Sequence, residues 1–150
     1  MEVHNRVEVM HGVNLDQLGR RDPGHYGSFT LTELEVGISA TAGELGLATR
    51  FFQTNHEGAF VEHLHGLSGM ADAIILNPGA WTHYSWAIRD ALELIRLPAV
   101  EIHLSNVDER EAFRRESVIG DLCFARVAGK GREGYREALT HVAEKLASTV

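Results

Sequence analysis

Short apolar stretches alternate with helical patterns along this chain of 150 residues. The apolar stretches end at Gly, Pro or Asn, and the segments between them repeat apolar positions at helical spacing. The predicted strands span residues 6–10, 48–53, 73–76, 99–102 and 121–127. Because each parallel return needs a crossover connection, strands separated by helices predict a parallel sheet.

Four amphipathic helices are predicted between and after these strands, the first one starting with a capping box from Thr30 to Glu33. Their inward faces are predicted to carry Leu31, Leu34, Ile38, Ala42 and Leu45; Phe60, Val61, Leu64 and Leu67; Tyr84, Ile88, Ala91, Leu92 and Ile95; and Tyr135, Leu139, Val142 and Leu146. We therefore expect an α/β protein with a flavodoxin-like, doubly wound five-stranded parallel sheet in a three-layer αβα sandwich. Residues 1–150 are expected to form a single domain.

Charge and hydropathy exclude several partners. A formal net charge of −7 argues against nucleic-acid binding, and no apolar run approaches the roughly 18 residues of a membrane span. Arg20, Arg21, Arg114 and Arg115 stand out against this acidic background. They indicate a pocket for a small anionic molecule.

Cysteine usage and the N-terminal sequence bear on the compartment. The lone Cys123 cannot form an internal disulfide, and it lies in an apolar run that favours a buried, inert thiol over a nucleophile. Residues 1–6 lack the basic start and apolar core of a signal peptide. We expect a cytoplasmic protein.

Polar residues accumulate after the predicted strands, at 11–14, 55–58, 77–83 and 103–106. Each set could merely cap a helix or close a turn. The carboxyl ends of parallel strands share one edge of the sheet, however, where α/β proteins bind ligands. Four such sets therefore favour a site for a hydroxylated ligand.

Histidines occur in two places where they could take part in chemistry. Glu101 and His103 are two positions apart at the end of a strand, so the carboxylate can orient the imidazole as a general acid; a structural histidine explains this pattern equally well. His56, His63 and His65 lack the spacing of metal ligands and are expected on a solvated helix face. No metal is expected.

The segment from Leu18 to Gly27 is long for a loop in an α/β protein and carries Tyr26. A tyrosine, with a reference pKa of about 10, needs nearby cations to act as a base, and Arg21 and Arg114 are the candidates. The alternative is that Tyr26 only anchors the loop by packing its ring. From the residues alone the two interpretations are equal.

Several ordered motifs together resemble the type II 3-dehydroquinate dehydratases. They are NL at 14–15, LGRRDP at 18–23 with YG at 26–27, QTNHEG at 53–58, ILNPGA at 75–80 with TH at 82–83, RDA at 89–91, EIHLSN at 101–106 and EAFR at 111–114. The similarity spans nearly the whole chain. It implies anti elimination of water from 3-dehydroquinate to give 3-dehydroshikimate, with no metal or organic cofactor.

The resemblance also implies residue roles. Tyr26, activated by Arg21, would remove the proton next to the ketone, Asn14 would stabilise the enolate, and His103, oriented by Glu101, would protonate the leaving hydroxyl. The substrate would be bound by Asn77, His83, Asp90, Leu104, Ser105 and Arg114. Asp90 would reach a neighbouring subunit of a dodecamer built from four trimers.

The chain departs from the family pattern in two places. His11 and Val13 stand where relatives usually have Asn and Pro, which inserts a titratable group beside the predicted pocket, and residues 115–120 lack the usual histidines and Ser-Tyr pair. A lyase acting on another hydroxylated ring acid is therefore an alternative. A flavodoxin-like binding module for FMN or a phosphorelay is a second one, although no Ser/Thr-rich phosphate loop follows the first strand.

Overall fold

A computed structural model, which describes residues 3–148, has a sheet of five parallel strands in the order β2-β1-β3-β4-β5. The strands are β1 Arg6–His11, β2 Ala48–Gln53, β3 Ala73–Asn77, β4 Ala99–His103 and β5 Ala125–Ala128. The expected flavodoxin-like sheet is confirmed. Strands β3 and β4 are buried along their whole length, as expected for apolar strands covered on both faces.

Helices cover both faces of this sheet. They are α1 Pro23–Tyr26, α2 Leu31–Glu44, α3 Glu57–His65, α4 Trp86–Ile95 and α5 Gly134–Ala147. Thr30 and Glu33 form the predicted capping box at the start of α2. Helices α2 and α5 pack one apolar core, around Val9 and Ile102, and α3 and α4 pack the other, around Met10 and Leu76. Within residues 3–148 no helix is long and apolar enough to cross a membrane.

The chain leaves β1 in one direction along the sheet and returns on its other side, so β1 and β3 flank the point where strand order reverses. A crevice for ligands is expected beyond the carboxyl ends of these two strands. The backbone segments that follow β1 and β3 approach each other closely there: a Cβ atom at Gly12 would lie only 2.2 Å from the Pro78 carbonyl oxygen. Only glycine permits this approach, which brings the loops after β1 and β3 together.

Three local expectations were wrong. The last strand begins at Ala125 instead of Asp121, because residues Gly120–Leu122 form a 3₁₀ turn. Tyr84 does not face the core but is 59% exposed, since α4 begins only at Trp86. His63 is not on a solvated face: its Nε2 lies 2.6 Å from the buried Glu8 carboxylate, and its ring stacks on Phe52.

Candidate active site

A pocket lies at the carboxyl edge of the sheet, where the loops after β1, β3 and β4 meet. It is lined by Val13, Asn14, Leu15, Arg21, Tyr26, Asn77, Gly79, Ala80, His83, His103, Leu104, Ser105, Val107, Arg110 and Arg114. All the predicted site residues except Glu101 and Asp90 are among them. The three arginines make the pocket suitable for an anionic ligand.

The loop after β1 carries Tyr26 to the pocket. Asp22 caps the short helix α1 by accepting a 2.9 Å hydrogen bond from the Gly24 amide, and Pro23 starts the helix with its fixed φ. Gly27 then reverses the chain at a φ of 82°, a conformation that favours glycine. Tyr26 thus ends a locally stabilised turn with its ring half-buried against the core.

Two guanidinium groups contact Tyr26. The Arg21 guanidinium lies 3.7 Å from the centre of the tyrosine ring, and Arg110 Nη1 donates a 2.5 Å hydrogen bond to the phenolic oxygen. Two positive charges therefore lie beside this phenol, one at its oxygen and one at its ring face.

The second predicted cation partner of Tyr26 is replaced by another arginine. Arg114 lines the pocket, but its Nε donates to the Glu111 carboxylate at 2.7 Å, and its guanidinium lies over the Phe113 ring. Arg110, and not Arg114, makes the expected contact with the Tyr26 hydroxyl. The only signal for Arg110 in the sequence is its position, four residues before Arg114 in the same loop. No hydrophobic pattern in that loop indicates that Arg110 contacts Tyr26.

On the other side of the pocket, His103 pairs with a buried carboxylate. His103 Nε2 lies 2.6 Å from Glu101 Oε2, and the hydroxyls of Thr82 and Ser117 donate to the same carboxylate at 2.5 and 2.8 Å. Burial alone would raise the pKa of Glu101, but the hydrogen bonds from His103, Thr82 and Ser117 outweigh it and lower that pKa. A carboxylate that stays ionised holds the imidazole in one orientation.

A second histidine, His83, faces the same space, with its ring 6.5 Å from that of His103. Its Nδ1 lies 2.7 Å from the Glu116 carbonyl oxygen. A carbonyl only accepts, so Nδ1 carries the proton and Nε2 of the neutral ring is an acceptor. Burial lowers the pKa of His83, against the effect of this hydrogen bond, so the ring is a neutral hydrogen-bonding group at neutral pH.

Two asparagines line the crevice between β1 and β3. Asn14 adopts a left-handed conformation with a φ of 69°, and its backbone N–H donates to the Asn55 side-chain oxygen at 2.8 Å. The Asn77 side-chain oxygen accepts a 3.0 Å hydrogen bond from the Gly79 amide. That bond fixes the orientation of the Asn77 amide and leaves its NH₂ group for other partners.

Two predicted site residues lie outside the pocket lining. Glu101 is buried outside the lining and contacts the pocket residue His103 through its Oε2. Asp90 is exposed on α4. His11, expected beside the pocket, is instead completely buried beneath it, whereas Val13 does line it.

The other side chains that could take part in metal or thiol chemistry are the remaining histidines and Cys123. In residues 3–148 no group of three or more His, Cys, Asp or Glu side chains is placed to hold a metal ion. Cys123 is half-buried, and burial raises the pKa of its thiol to about 12. A thiol with so high a pKa is a poor nucleophile.

The pocket brings together groups suited to acid-base chemistry on a small polar molecule, with a tyrosine in contact with two cations on one side and a carboxylate-oriented histidine on the other. The family description "dehydroquinase class II" matches residues 5–143 of this chain. The chain therefore belongs to the class II dehydroquinases, and the resemblance seen in its motifs is confirmed.

Relatives of the chain agree with this membership. The 3-dehydroquinate dehydratase of Syntrophotalea carbinolica is 46% identical over 135 residues, covering 89% of this chain and 91% of that protein. 3-Dehydroquinate dehydratase 2 of Pseudomonas putida is 48% identical over 140 residues, covering 93% and 94%. The crystal structure of a type II dehydroquinase from Butyrivibrio crossotus is similar at a TM-score of 0.90 and 37% identity, covering 93% of this chain and 97% of that one.

Proposed function

We propose that this chain is a hydro-lyase that removes water from 3-dehydroquinate to give 3-dehydroshikimate, without a metal or organic cofactor. The names of its relatives state the dehydratase activity. The observation that carries the proposal is the placement of Tyr26, hydrogen-bonded to Arg110, in one pocket with His103, paired to Glu101. An elimination needs such a base and such an acid on one small substrate.

In the proposed reaction the Tyr26 phenolate removes a proton from the carbon next to the ketone. The electron pair of that C–H bond forms an enolate, whose negative charge Asn14 helps to stabilise at the crevice. The enolate then re-forms the ketone and expels the C1 hydroxyl, which takes a proton from His103 and leaves as water. Arg21 and Arg110 hold the phenolate before the first step, and Glu101 holds the imidazole for the last one.

The other pocket residues are proposed to bind the substrate. The backbone amides of Leu104 and Ser105, with the Ser105 hydroxyl, would take the carboxylate. Both residues are buried at the end of β4, and Arg110 reaches the Ser105 hydroxyl at 3.5 Å. Asn77, His83 and Arg114 would contact the ring hydroxyls. The neutral His83 suits this role, because it offers Nε2 as an acceptor.

Oligomerisation is proposed to complete the site, as a dodecamer of four trimers in which Asp90 reaches a neighbouring copy. Its exposure on α4, next to the exposed aromatic rings of Tyr84 and Trp86, supports this role. Large exposed aromatic side chains are enriched at protein interfaces. We further propose that the chain works as one domain in the cytoplasm, where its lone Cys123 needs no disulfide partner.

A panel of ring acids tests the proposed substrate. Purified protein is incubated with 3-dehydroquinate and with other hydroxylated cyclic acids, and the absorbance of the conjugated product is followed. We expect the highest kcat/KM with 3-dehydroquinate. A second candidate, a lyase for another ring acid, is favoured by Val13 in the pocket lining and by the divergent residues 115–120; a higher kcat/KM for another acid would establish it.

A further inference from the structure

The two oxygens of the Glu101 carboxylate have different partners. Oε2 faces His103 Nε2 and the Thr82 hydroxyl, whereas Oε1 accepts a 2.8 Å hydrogen bond from the Ser117 hydroxyl and lies 3.5 Å from Arg126 Nε. Glu101 is 0% exposed, and a buried carboxylate is costly unless it is hydrogen-bonded and paired with a positive charge. Ser117 and Arg126 supply both at Oε1, independently of the imidazole.

The sheet register brings Arg126 to this carboxylate. Arg126 on β5 pairs with Glu101 on β4, and the next residue, Val127, packs into the core of α2 and α5, so Arg126 points to the opposite face of the sheet, as Glu101 does. Within residues 3–148, Arg126 is the only Lys or Arg that forms an ion pair with Glu101. Strand β5 lies at the edge of the sheet, and 31% of the Arg126 side chain is exposed. The guanidinium therefore keeps part of its hydration, which limits the desolvation cost of the pair.

Ser117 comes from the divergent segment 115–120. Its hydroxyl has one proton, which it donates to Glu101, and its oxygen accepts a 3.3 Å hydrogen bond from the Ile119 backbone N–H. A Cβ atom at Gly120 would lie 3.5 Å from Glu101 Oε1, so the backbone of the segment also approaches this oxygen. The segment in which the chain differs from its relatives thus forms part of the surroundings of the Glu101 carboxylate.

We propose that Ser117 and Arg126 are positioning residues of the elimination and act through Glu101. They hold Oε1, so that Oε2 keeps the His103 imidazole in place while it gives its proton to the leaving hydroxyl. Neither residue is in the lining of the pocket, and both contact the carboxylate that pairs with the acid. The inference rests on the proposed function through the role of His103 as the acid.

The ion pair with Arg126 also bears on the charges during proton transfer. When the C–O bond of the substrate breaks, its electron pair leaves with the oxygen, an N–H bond of the imidazolium breaks, and the proton completes a water molecule. His103 is then neutral, and Glu101 has no positive partner left at Oε2. Arg126 remains beside Oε1, so the transfer does not leave an unpaired buried charge.

Steady-state kinetics separates this role from simple stabilisation of the fold. In Arg126→Met, which keeps the apolar stem without the charge, and in Ser117→Ala we expect kcat for 3-dehydroquinate to fall about tenfold, the effect of one interaction with a charged group, with KM within about twofold of wild type. The loss falls on kcat because the acid acts in the transition state. Arg126→Lys, which keeps the charge, should restore most of it.

A cation near the same strand provides the control. Lys130→Met removes an ion pair with Glu137 from the loop after β5 and should leave kcat unchanged. Because Arg126 is partly exposed on an edge strand, Arg126→Met should fold even if Ser117→Ala does not, and circular dichroism checks both. Unchanged kcat in folded Arg126→Met, a loss that falls on KM instead, or no recovery in Arg126→Lys would overturn the proposal.

A double-mutant cycle tests whether the effect passes through Glu101. In a Glu101→Gln background, Arg126→Met and Ser117→Ala should cause no further loss of kcat, because the charge that they hold is absent. Losses as large as those in wild type would show that the two residues act elsewhere and would overturn the inference.

Crystal structures give a readout that does not depend on turnover. In Arg126→Met and Ser117→Ala we expect the Glu101 carboxylate to turn and its distance to His103 Nε2 to lengthen, and in Lys130→Met both to stay as in wild type. An unchanged pair of Glu101 and His103 in both variants would contradict the proposal whatever the activity. Wild-type protein without turnover would instead refute the proposed function, so the two failures are distinguishable.

Discussion

Arg110 Nη1 donates a 2.5 Å hydrogen bond to the phenolic oxygen of Tyr26, while the Arg21 guanidinium lies against the face of the same ring. The two cations act on different parts of one side chain. The hydrogen bond brings a guanidinium charge directly beside the oxygen that must become negative for Tyr26 to act as a base, whereas Arg21 acts on that charge through the ring face, which it also orients. Arg110 is thus the residue that turns a packed tyrosine into a candidate base.

Arg110→Ala should lower kcat for 3-dehydroquinate by roughly 10²-fold, as expected when one donor to a charged reacting oxygen is removed. Arg110→Lys should restore part of this loss, because a lysine keeps the charge without the planar geometry. Arg115→Ala, which removes an exposed arginine of the same loop, is the matched control. If kcat of Arg110→Ala stayed within about twofold of wild type, the hydrogen bond would have no catalytic role.

Glu101→Gln should lower kcat by about 10²-fold while leaving the fold intact, because it removes the charge that holds His103 but keeps the shape of the side chain. Steady-state kinetics measures the loss, and circular dichroism checks the fold. Glu109→Gln, at an exposed position, is the control. Equal kcat in Glu101→Gln and wild type would mean that His103 needs no charged partner.

His83 predicts a pH dependence of stability. Burial lowers the pKa of His83 below the ordinary histidine value of 6.5, so the unfolded chain binds a proton at this site more readily than the folded one. The free energy of unfolding contributed by His83 should therefore rise with pH between the folded pKa and 6.5, and be lost below that window. The free energy of unfolding is measured by urea denaturation for wild type and for His83→Gln at several pH values. The difference between the two proteins gives the contribution of His83. A difference independent of pH would contradict it.

The strands and the sheet edge at which the pocket lies could be predicted from the sequence, since apolar runs and the polar residues after them are local signals. Two of the failures depend on contacts between residues distant in sequence. Arg110 reaches Tyr26 across 84 residues, and His63 is drawn from solvent by Glu8, a carboxylate on a neighbouring element. A pattern along one helix or loop contains no information about either partner.

His11 shows the same limit at the floor of the site. The sequence identified it as unusual, but only the register with Asn77 and the approach of Glu35 from α2 place it beneath the pocket instead of beside it. Periodicity fixes which face of a strand a residue occupies, whereas the helix that packs on that face decides its chemistry.

Asp90→Ala should weaken assembly or raise KM, because Asp90 is exposed on α4 and outside the pocket of its own chain. Sedimentation velocity would measure the oligomer and steady-state kinetics the KM. Glu93→Ala, an exposed carboxylate on the same helix, provides the comparison. If Asp90→Ala and Glu93→Ala both matched wild type in size and KM, the proposed contribution of a neighbouring copy would be refuted.

The most direct test is the turnover of 3-dehydroquinate by wild type and by Tyr26→Phe, measured as the rise in absorbance of the conjugated product. We expect steady turnover by wild type and a kcat lower by roughly 10²–10⁴-fold in Tyr26→Phe, with product binding retained. Wild-type protein that is folded but produces no absorbance rise, or Tyr26→Phe that turns over like wild type, would contradict the account.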